Sequence, residues 1–551
     1  MASAAHVDND PIIDDKDHDR AQREINAHTS MWLRFTRAGE FAGRNDKSEY
    51  QRIKNSCKVN HHGYAPLYTL RKDHKPVEDE ALGPPTRPVC GGSAAYNHKM
   101  SHLLGFFLRP VWQGKDTVCT STEEMIAAIE QANSSGKVDH TCTLGSLDVK
   151  SLYPSLDVEF VSEKVGEMFL SSVVNVPELD CKELGLYLAL NRTPEELREK
   201  GLDKVCPTRK RKDGKPPVGR PPVMTGCAME EQREKRFAPW EDARIEEPDT
   251  YTKKRMLAEA ITIGVEHVMS NHIYVFNGEI RMQSKGGPIG LALTGDVAQV
   301  FMAWWDEEII RRLEEKGLCV VLYKRYVDDI NIITKPAAID RTPVVGEKDD
   351  VKIMEEIQQV AGEIHASIEV TVDCQPMNND LKVRILDMKV WLEEMKEGGE
   401  KGQVIILYEY FYKEMASKAV IDARSAMPLK TKRTILTQEV IRILRNCSRR
   451  LPWTVVSGHV TDFSARMQYS GHTHEMRSQV VKSALHAYDV MLRKDREGIE
   501  PLYRPREWKK EERIRDKRKK KREWFRGKDK SKEAVIFLPA TPGSELKKSD
   551  F

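Results

Sequence analysis

Val320-Val321-Leu322-Tyr323-Lys324-Arg325-Tyr326-Val327-Asp328-Asp329-Ile330-Asn331-Ile332-Ile333 is the stretch whose reading decides the fold. β-Branched and aromatic residues fill both flanks, and two adjacent acids stand where the flanks meet. The spacing predicts a β-hairpin with Asp328 and Asp329 at its tip. Carboxylates at a hairpin tip are lifted out of the core, towards a cation. A second stretch, Ser146-Leu147-Asp148-Val149-Lys150-Ser151-Leu152-Tyr153-Pro154-Ser155-Leu156, also carries apolar residues up to an acid. Asp148 is predicted to close a strand, and Pro154 to break the run before a helix begins near Val158.

Three acids on rigid strand ends suit one chemistry in particular. Phosphoryl transfer with two Mg²⁺ ions roughly 3.5–4 Å apart needs several hard oxygen ligands in one place, because it concentrates the charge of the ions and of a triphosphate. One acid from a strand and a pair from an adjoining hairpin meet that need, provided the fold brings them together. Asp148, Asp328 and Asp329 are therefore the candidate catalytic residues. Asp148 and Asp328, with the backbone carbonyl of Val149, are the candidate ligands for two Mg²⁺ ions, for which Mn²⁺ would substitute.

On these residues the chain resembles the reverse transcriptases. The resemblance places an aromatic, Tyr153, five positions after Asp148, where it would exclude a ribose 2′-OH. It also matches Gln283-Ser284-Lys285-Gly286-Gly287-Pro288-Ile289-Gly290 to a glycine-rich turn that opens a long helix, so Gln283 and Gly287 are implied nucleotide contacts. Glycine lets backbone approach closely, and Pro288 suits a first helical turn. Pro66 to Pro76 and Pro84 to Val89 look like the segments that grip the triphosphate. There Lys72, Lys75 and Arg87 would neutralise charge on the leaving pyrophosphate.

Later segments narrow the resemblance. Leu386-Asp387-Met388, Tyr410-Phe411-Tyr412-Lys413, Ser425-Ala426-Met427-Pro428, Glu439 to Ser448 and Phe463 to Gly471 follow in order. Over roughly residues 60 to 495 this succession is similar to the Penelope-like retroelement reverse transcriptases. The fold implied is α+β, a right-hand polymerase with fingers, an antiparallel-sheet palm and a helical thumb. Residues 1–60 are expected to be a polar arm, 61–140 fingers and 141–190 the first part of the palm. A charged, Pro-rich insertion over 191–252 is expected to be extended, since its composition buries little apolar surface. The second part of the palm follows over 253–415, the thumb over 416–500 and a basic tail over 501–551.

The function implied is RNA-directed DNA synthesis from deoxynucleoside triphosphates, with an RNA template, a DNA primer and an RNA–DNA hybrid as partners. In the thumb, Ile435, Val440, Ile441 and Leu444 are predicted to form one apolar stripe. Arg433, Arg442 and Arg445 then face a hybrid duplex, which is recognised chiefly by backbone and shape. Members of this family usually add a GIY-YIG nuclease, whose motif this sequence does not show; the expectation is a separate endonuclease, a missing C-terminal nuclease domain or an endonuclease-lacking relative, and DNA nicking is not assigned.

The net charge of +3 hides an uneven distribution, with 15 Lys and Arg against six Asp and Glu between Tyr503 and Lys530. The run around Lys519, Lys520 and Lys521, followed by Trp524 and Phe525, suits phosphate neutralisation with base stacking. It equally suits nuclear import. Ten cysteines without a close CxxC pair argue against a disulfide scaffold or a zinc ribbon. No signal peptide or membrane-length apolar run is visible, so a nuclear, or also cytoplasmic, protein without membrane contact is expected. Two alternatives stay open. A B-family DNA-templated polymerase also has a Ser-Leu-Tyr-Pro-Ser string, though its later motif reads acid-Thr-acid. A domesticated, non-catalytic RNA-binding relic is the other.

Overall fold

In the computed structural model the described residues are 10–36, 50–53, 55, 64–71, 86–207, 247–337, 349–395, 402–412 and 419–496. They fall into two compact units, Met1–Leu386 with Val390–Ile406, and Asp387–Lys389 with Leu407–Phe551. Among the described residues no helix is long and apolar enough to cross a membrane.

The first unit is α+β and holds two four-stranded sheets. One is formed by β1 (Ala65–Arg71), β2 (Thr86–Cys90), β4 (Ile273–Phe276) and β5 (Glu279–Met282), in the order β2-β1-β4-β5. β4 and β5 make a hairpin whose two loop residues, Asn277 and Gly278, both have positive φ. Asn-Gly is the pair such a turn demands. The other sheet contains β3 (Thr143–Val149), β6 (Leu318–Tyr326), β7 (Asp329–Pro336) and β8 (Val370–Cys374), in the order β6-β7-β3-β8 and antiparallel throughout. Helices Ala292–Glu315 and Asp350–Ile364 pack against it. Leu147, Val149, Ile330, Ile332, Phe301 and Ile357 belong to the shared core. β9 (Val383–Ile385), β10 (Met388–Met395) and β11 (Gln403–Tyr410) form a three-stranded sheet, in the order β11-β10-β9.

Two expectations need correction here. Within 1–60, residues Asp15–Phe35 form a packed helix, capped where the Asp14 carboxylate accepts from Asp17 N at 2.8 Å. Ala21, Ile25, Trp32 and Phe35 recur at helical spacing and are buried. Average polarity concealed that stripe. Within 191–252, Thr193 starts the helix Pro194–Glu199 with a full capping box, and Leu197, Leu202, Val205 and Cys206 are buried. Few apolar residues suffice when each faces the core, and Arg192 pairs with Glu259 at 2.6 Å to anchor the segment. Residues 208–246 lie outside the described residues.

The second unit is helical, with Leu429–Arg445, Trp453–Tyr469 and His474–Arg496. Leu436, Val440, Ile443, Leu444, Phe463 and Val480 fill its core. Ile435, expected on the buried stripe, is 42% exposed. It stands one residue, about 100° of helix rotation, from Leu436, which takes the inward place.

Candidate active site

The three acids meet because β3 is laid beside the hairpin. Tyr326 and Asp329 are register partners across β6 and β7, and Asp148 is the register partner of Asp329 across β3 and β7. Directly opposed residues share a face of the sheet, with Cβ atoms about 4.5–5.5 Å apart. Asp328 is stitched to the same point, since Val149 N donates to its carbonyl at 3.2 Å. Alternation along β3 completes the placement: Leu147 and Val149 are buried while Asp148 is exposed between them. Residues 180 positions apart in the chain thus form one acidic cluster at the end of the sheet.

The tip is held in a conformation that its residue type resists. Val327 has φ +60°, in the left-handed region that a β-branched side chain rarely enters. Such strain persists only where the surroundings over-determine it. Arg325 supplies that constraint. Its Nη1 donates to Val327 O at 2.9 Å and to Gln299 Oε1 at 2.8 Å, and its Nε donates to both carboxylate oxygens of Asp306 at 2.9 Å. Tyr323 OH donates to the same Asp306 at 2.7 Å. The Arg325 backbone is fixed too, by Thr117 O and Cys119 N at 2.8 Å each. Arg325 and Asp306 are both 0% exposed. Burial pushes the Asp306 carboxyl up from the ordinary carboxylate range, and the guanidinium opposes it. The reading of the sequence missed this pair; a lone arginine in an apolar strand was its only signal.

Facing the acids are Tyr153 and the glycine-rich turn. β3 ends at Val149, Ser151 turns through φ +51°, and Leu152–Ser155 make a single helical turn. Gly287 N donates to Tyr153 O at 2.7 Å. Gly286 sits at φ +69° so close to Pro154 that a Cβ would collide with the Pro154 carbonyl. Only glycine fits there. The Tyr153 phenol is pushed above its ordinary value, mainly by burial and next by the charge of Asp328, while Arg87 pulls it back. Tyr153 thus feels both the Asp328 and the Arg87 charge. Arg87 is exposed on β2 opposite Leu70. Cys90 N donates to Ile289 O at 2.7 Å and joins β2 to the turn. A cavity of about 180 Å³ lies here, bordered by Pro154, Gln283, Gly287 and Tyr274 among others. The Gln283 side chain folds back, its Nε2 donating to Lys285 O at 2.8 Å.

Lys72, Lys75, Lys519, Lys520 and Lys521 lie outside the described residues. In the second unit, Arg433 is exposed and reaches Gln479 at 3.4 Å. Arg445 is half-buried and its charge is felt at Tyr488. Arg442, also exposed, is engaged within the unit. Its guanidinium pairs with Asp387 and with Glu439 and reaches Tyr410 OH at 3.2 Å, so its charge is already answered.

Among the described residues, no three His, Cys, Asp or Glu side chains form a ready-made metal cage. Mg²⁺ does not ask for one: it keeps several waters and binds through one or two carboxylates plus substrate phosphates. Asp148, opposite Asp329 and with Asp328 beside it, puts hard oxygen donors at one end of the sheet.

No family model matches this chain, and no curated protein does. Among solved structures, a telomerase from Candida albicans, in complex with a fragment of telomeric RNA, is similar at 10% identity and TM-score 0.38, over 78% of this chain and 61% of that one. The BmCPV RNA-dependent RNA polymerase at its elongation state is similar at 9% identity and TM-score 0.36, over 80% of this chain and 30% of that one. Apo telomerase from Candida tropicalis gives 11% identity and TM-score 0.36, over 77% and 57%. The chain thus spans less than two thirds of each of these structures. A likeness this distant carries no inference about activity; the arrangement of side chains does.

Proposed function

We propose that the chain is an RNA-directed DNA polymerase of the Penelope-like retroelement type, acting by metal-assisted nucleotidyl transfer. One observation carries the reading: Asp148 is paired directly across the sheet with Asp329, beside Asp328, whose charge, with that of Arg87, is felt at Tyr153. Asp148 and Asp328 would hold the ions with the backbone carbonyl of Val149, and Asp329 would support the charge balance. When bound, Mg²⁺ would lower the pKa of a primer 3′-OH and balance the charge of a triphosphate. The remaining chemistry belongs to the protein. Arg87 places a fixed cation where phosphate charge develops. The Tyr153 ring, on backbone that Gly287 N holds, would exclude a ribose 2′-OH. Arg325 holds the Val327 backbone, and with it the two tip acids, in one geometry before substrate arrives. In this reading the sheet carrying the acids is the palm, the β1–β2 hairpin belongs to the fingers and the helical unit is the thumb. Exposed Arg433 and the basic run Lys519–Lys521 serve an RNA–DNA duplex, and that run also suits nuclear import.

The test is primer extension on matched RNA and DNA templates, with wild type and Asp328→Ala. Extension on RNA by the wild type, abolished in the variant while duplex binding persists, is expected. An undiminished rate in Asp328→Ala removes the reading. Preference for a DNA template favours a DNA-templated polymerase, and a wild type inert on both favours an RNA-binding relic.

A further inference from the structure

The residues just ahead of the helix Asp15–Phe35 reach across the first unit to the glycine-rich turn. Met282 N donates to Pro11 O at 3.1 Å, Ile13 N donates to Ile280 O at 3.0 Å, and Ile12 bridges Arg281 in antiparallel fashion. The segment thereby adds itself to β5, whose end leads directly into Gln283. Asp10 lies at the tip of this strap. Its Oδ1 accepts from Ser284 N at 2.9 Å and from Ser284 Oγ at 2.6 Å. Its Oδ2 accepts from Tyr274 OH at 2.7 Å, and its carbonyl accepts from Arg281 Nη1 at 3.0 Å. Donors from β4, β5 and the turn thus converge on one residue, which also borders the cavity shared with Gln283, Gly287 and Pro154.

A turn built on glycines has little stiffness of its own, because Gly lacks the side chain that restricts φ and ψ. Its position is set by what clamps its ends. Tyr153 O holds Gly287 on one side; Asp10 holds Ser284 on the other.

We propose that Asp10 is a positioning residue for the incoming nucleotide: it fixes Gln283–Lys285 relative to Tyr153 and Pro154, and so sets the width of the cavity between them. It touches no substrate and acts through the turn. This inference rests on the polymerase reading above. The chemistry explains the carboxylate, since every group that meets Asp10 donates. An amide at this position keeps an oxygen for Ser284 and turns its NH₂ towards the Tyr274 oxygen, whereas alanine loses every side-chain contact.

The experiment compares wild type, Asp10→Ala and Asp10→Asn in the full chain by two readouts. One is primer extension at varied deoxynucleotide concentration. The other is the rate of first tryptic cleavage after the exposed Lys285, followed by mass spectrometry without substrate. Losing charge-assisted hydrogen bonds predicts a nucleotide KM raised about tenfold in Asp10→Ala, with kcat within about twofold of wild type. Cleavage at Lys285 accelerates in parallel, and Asp10→Asn restores most of both. Unchanged KM and unchanged cleavage in Asp10→Ala overturn the proposal. So does a joint fall in kcat and Tm that Asp10→Asn does not rescue, which marks a merely structural residue. A wild type that extends nothing sinks the polymerase reading, and the nucleotide role with it; the cleavage rates then still report whether Asp10 clamps the turn.

Discussion

Replacing Arg325 by leucine separates two functions of one side chain. The guanidinium and the Asp306 carboxylate are both fully buried, and Arg325 also holds the Val327 carbonyl at 2.9 Å. Removing one member of a buried ion pair strands the other, which costs about 3–5 kcal/mol. Arg325→Leu is therefore expected to destabilise the fold by that amount in urea unfolding. Taking both charges away removes the stranded carboxylate, and replacing buried pairs by apolar residues is often neutral or stabilising. The double variant Arg325→Leu with Asp306→Leu is expected to recover most of the lost stability. Activity is expected to behave differently. Neither variant can hold Val327 at φ +60°, so the tip relaxes and Asp328 and Asp329 shift against Asp148. A displacement of about 1 Å at reacting groups costs on the order of a hundredfold in rate. Both variants should thus extend primers about a hundredfold more slowly than wild type, including the stable one. Wild-type extension by the double variant would refute the claim that Arg325 positions the acids. Wild-type stability in Arg325→Leu would refute the claim that the pair is closed to solvent.

Three further outcomes follow from the same geometry. Tyr153→Ala opens the space beside Asp328, and discrimination against ribonucleotides should fall at least about tenfold in single-nucleotide incorporation; unchanged discrimination removes the gate. Gly286→Ala forces a Cβ onto the Pro154 carbonyl at φ +69°, which should cost about 1–3 kcal/mol and most of the extension rate, read by urea melts and steady-state kinetics. His272 is buried and His267 is part-buried against the stacked His28 ring, and desolvation pulls both imidazoles down to about 4 from the ordinary 6.5. Their folded values lie below the unfolded one, so stability is full above about pH 6.5 and falls as pH drops towards 4. At pH 5 each should cost roughly 2 kcal/mol relative to pH 7.5, and His267→Gln should shrink the difference in unfolding free energy by that amount.

Much of the acidic cluster was legible along the chain because its parts are local. The apolar flanks around Asp328 and Asp329, the strand ending near Asp148 and the turn at Gly286–Gly290 each announce themselves within about ten residues. Errors arose where composition stood in for position. The helix Asp15–Phe35 and the buried Leu197, Leu202 and Val205 lie in polar segments whose few apolar residues all point inward. Ile435 and Leu436 differ by one step of the helix, and the packing of Phe463 and Val480 chooses between them. The ion pairs of Arg442 could not be foreseen, because Asp387 lies 55 residues away.

By itself the amino-acid sequence determined which residues carry charge at strand ends, where backbone must be glycine, and hence which chemistry the chain can attempt. Tertiary structure alone decided that Asp148 stands opposite Asp329, that Arg325 spends its charge on Asp306 and Val327, and that Asp10 closes on Ser284. The division has a physical cause. Turn and strand preferences are short-range and written into neighbouring side chains, whereas register and buried partners depend on contacts between segments far apart in the chain, which only the packed core selects.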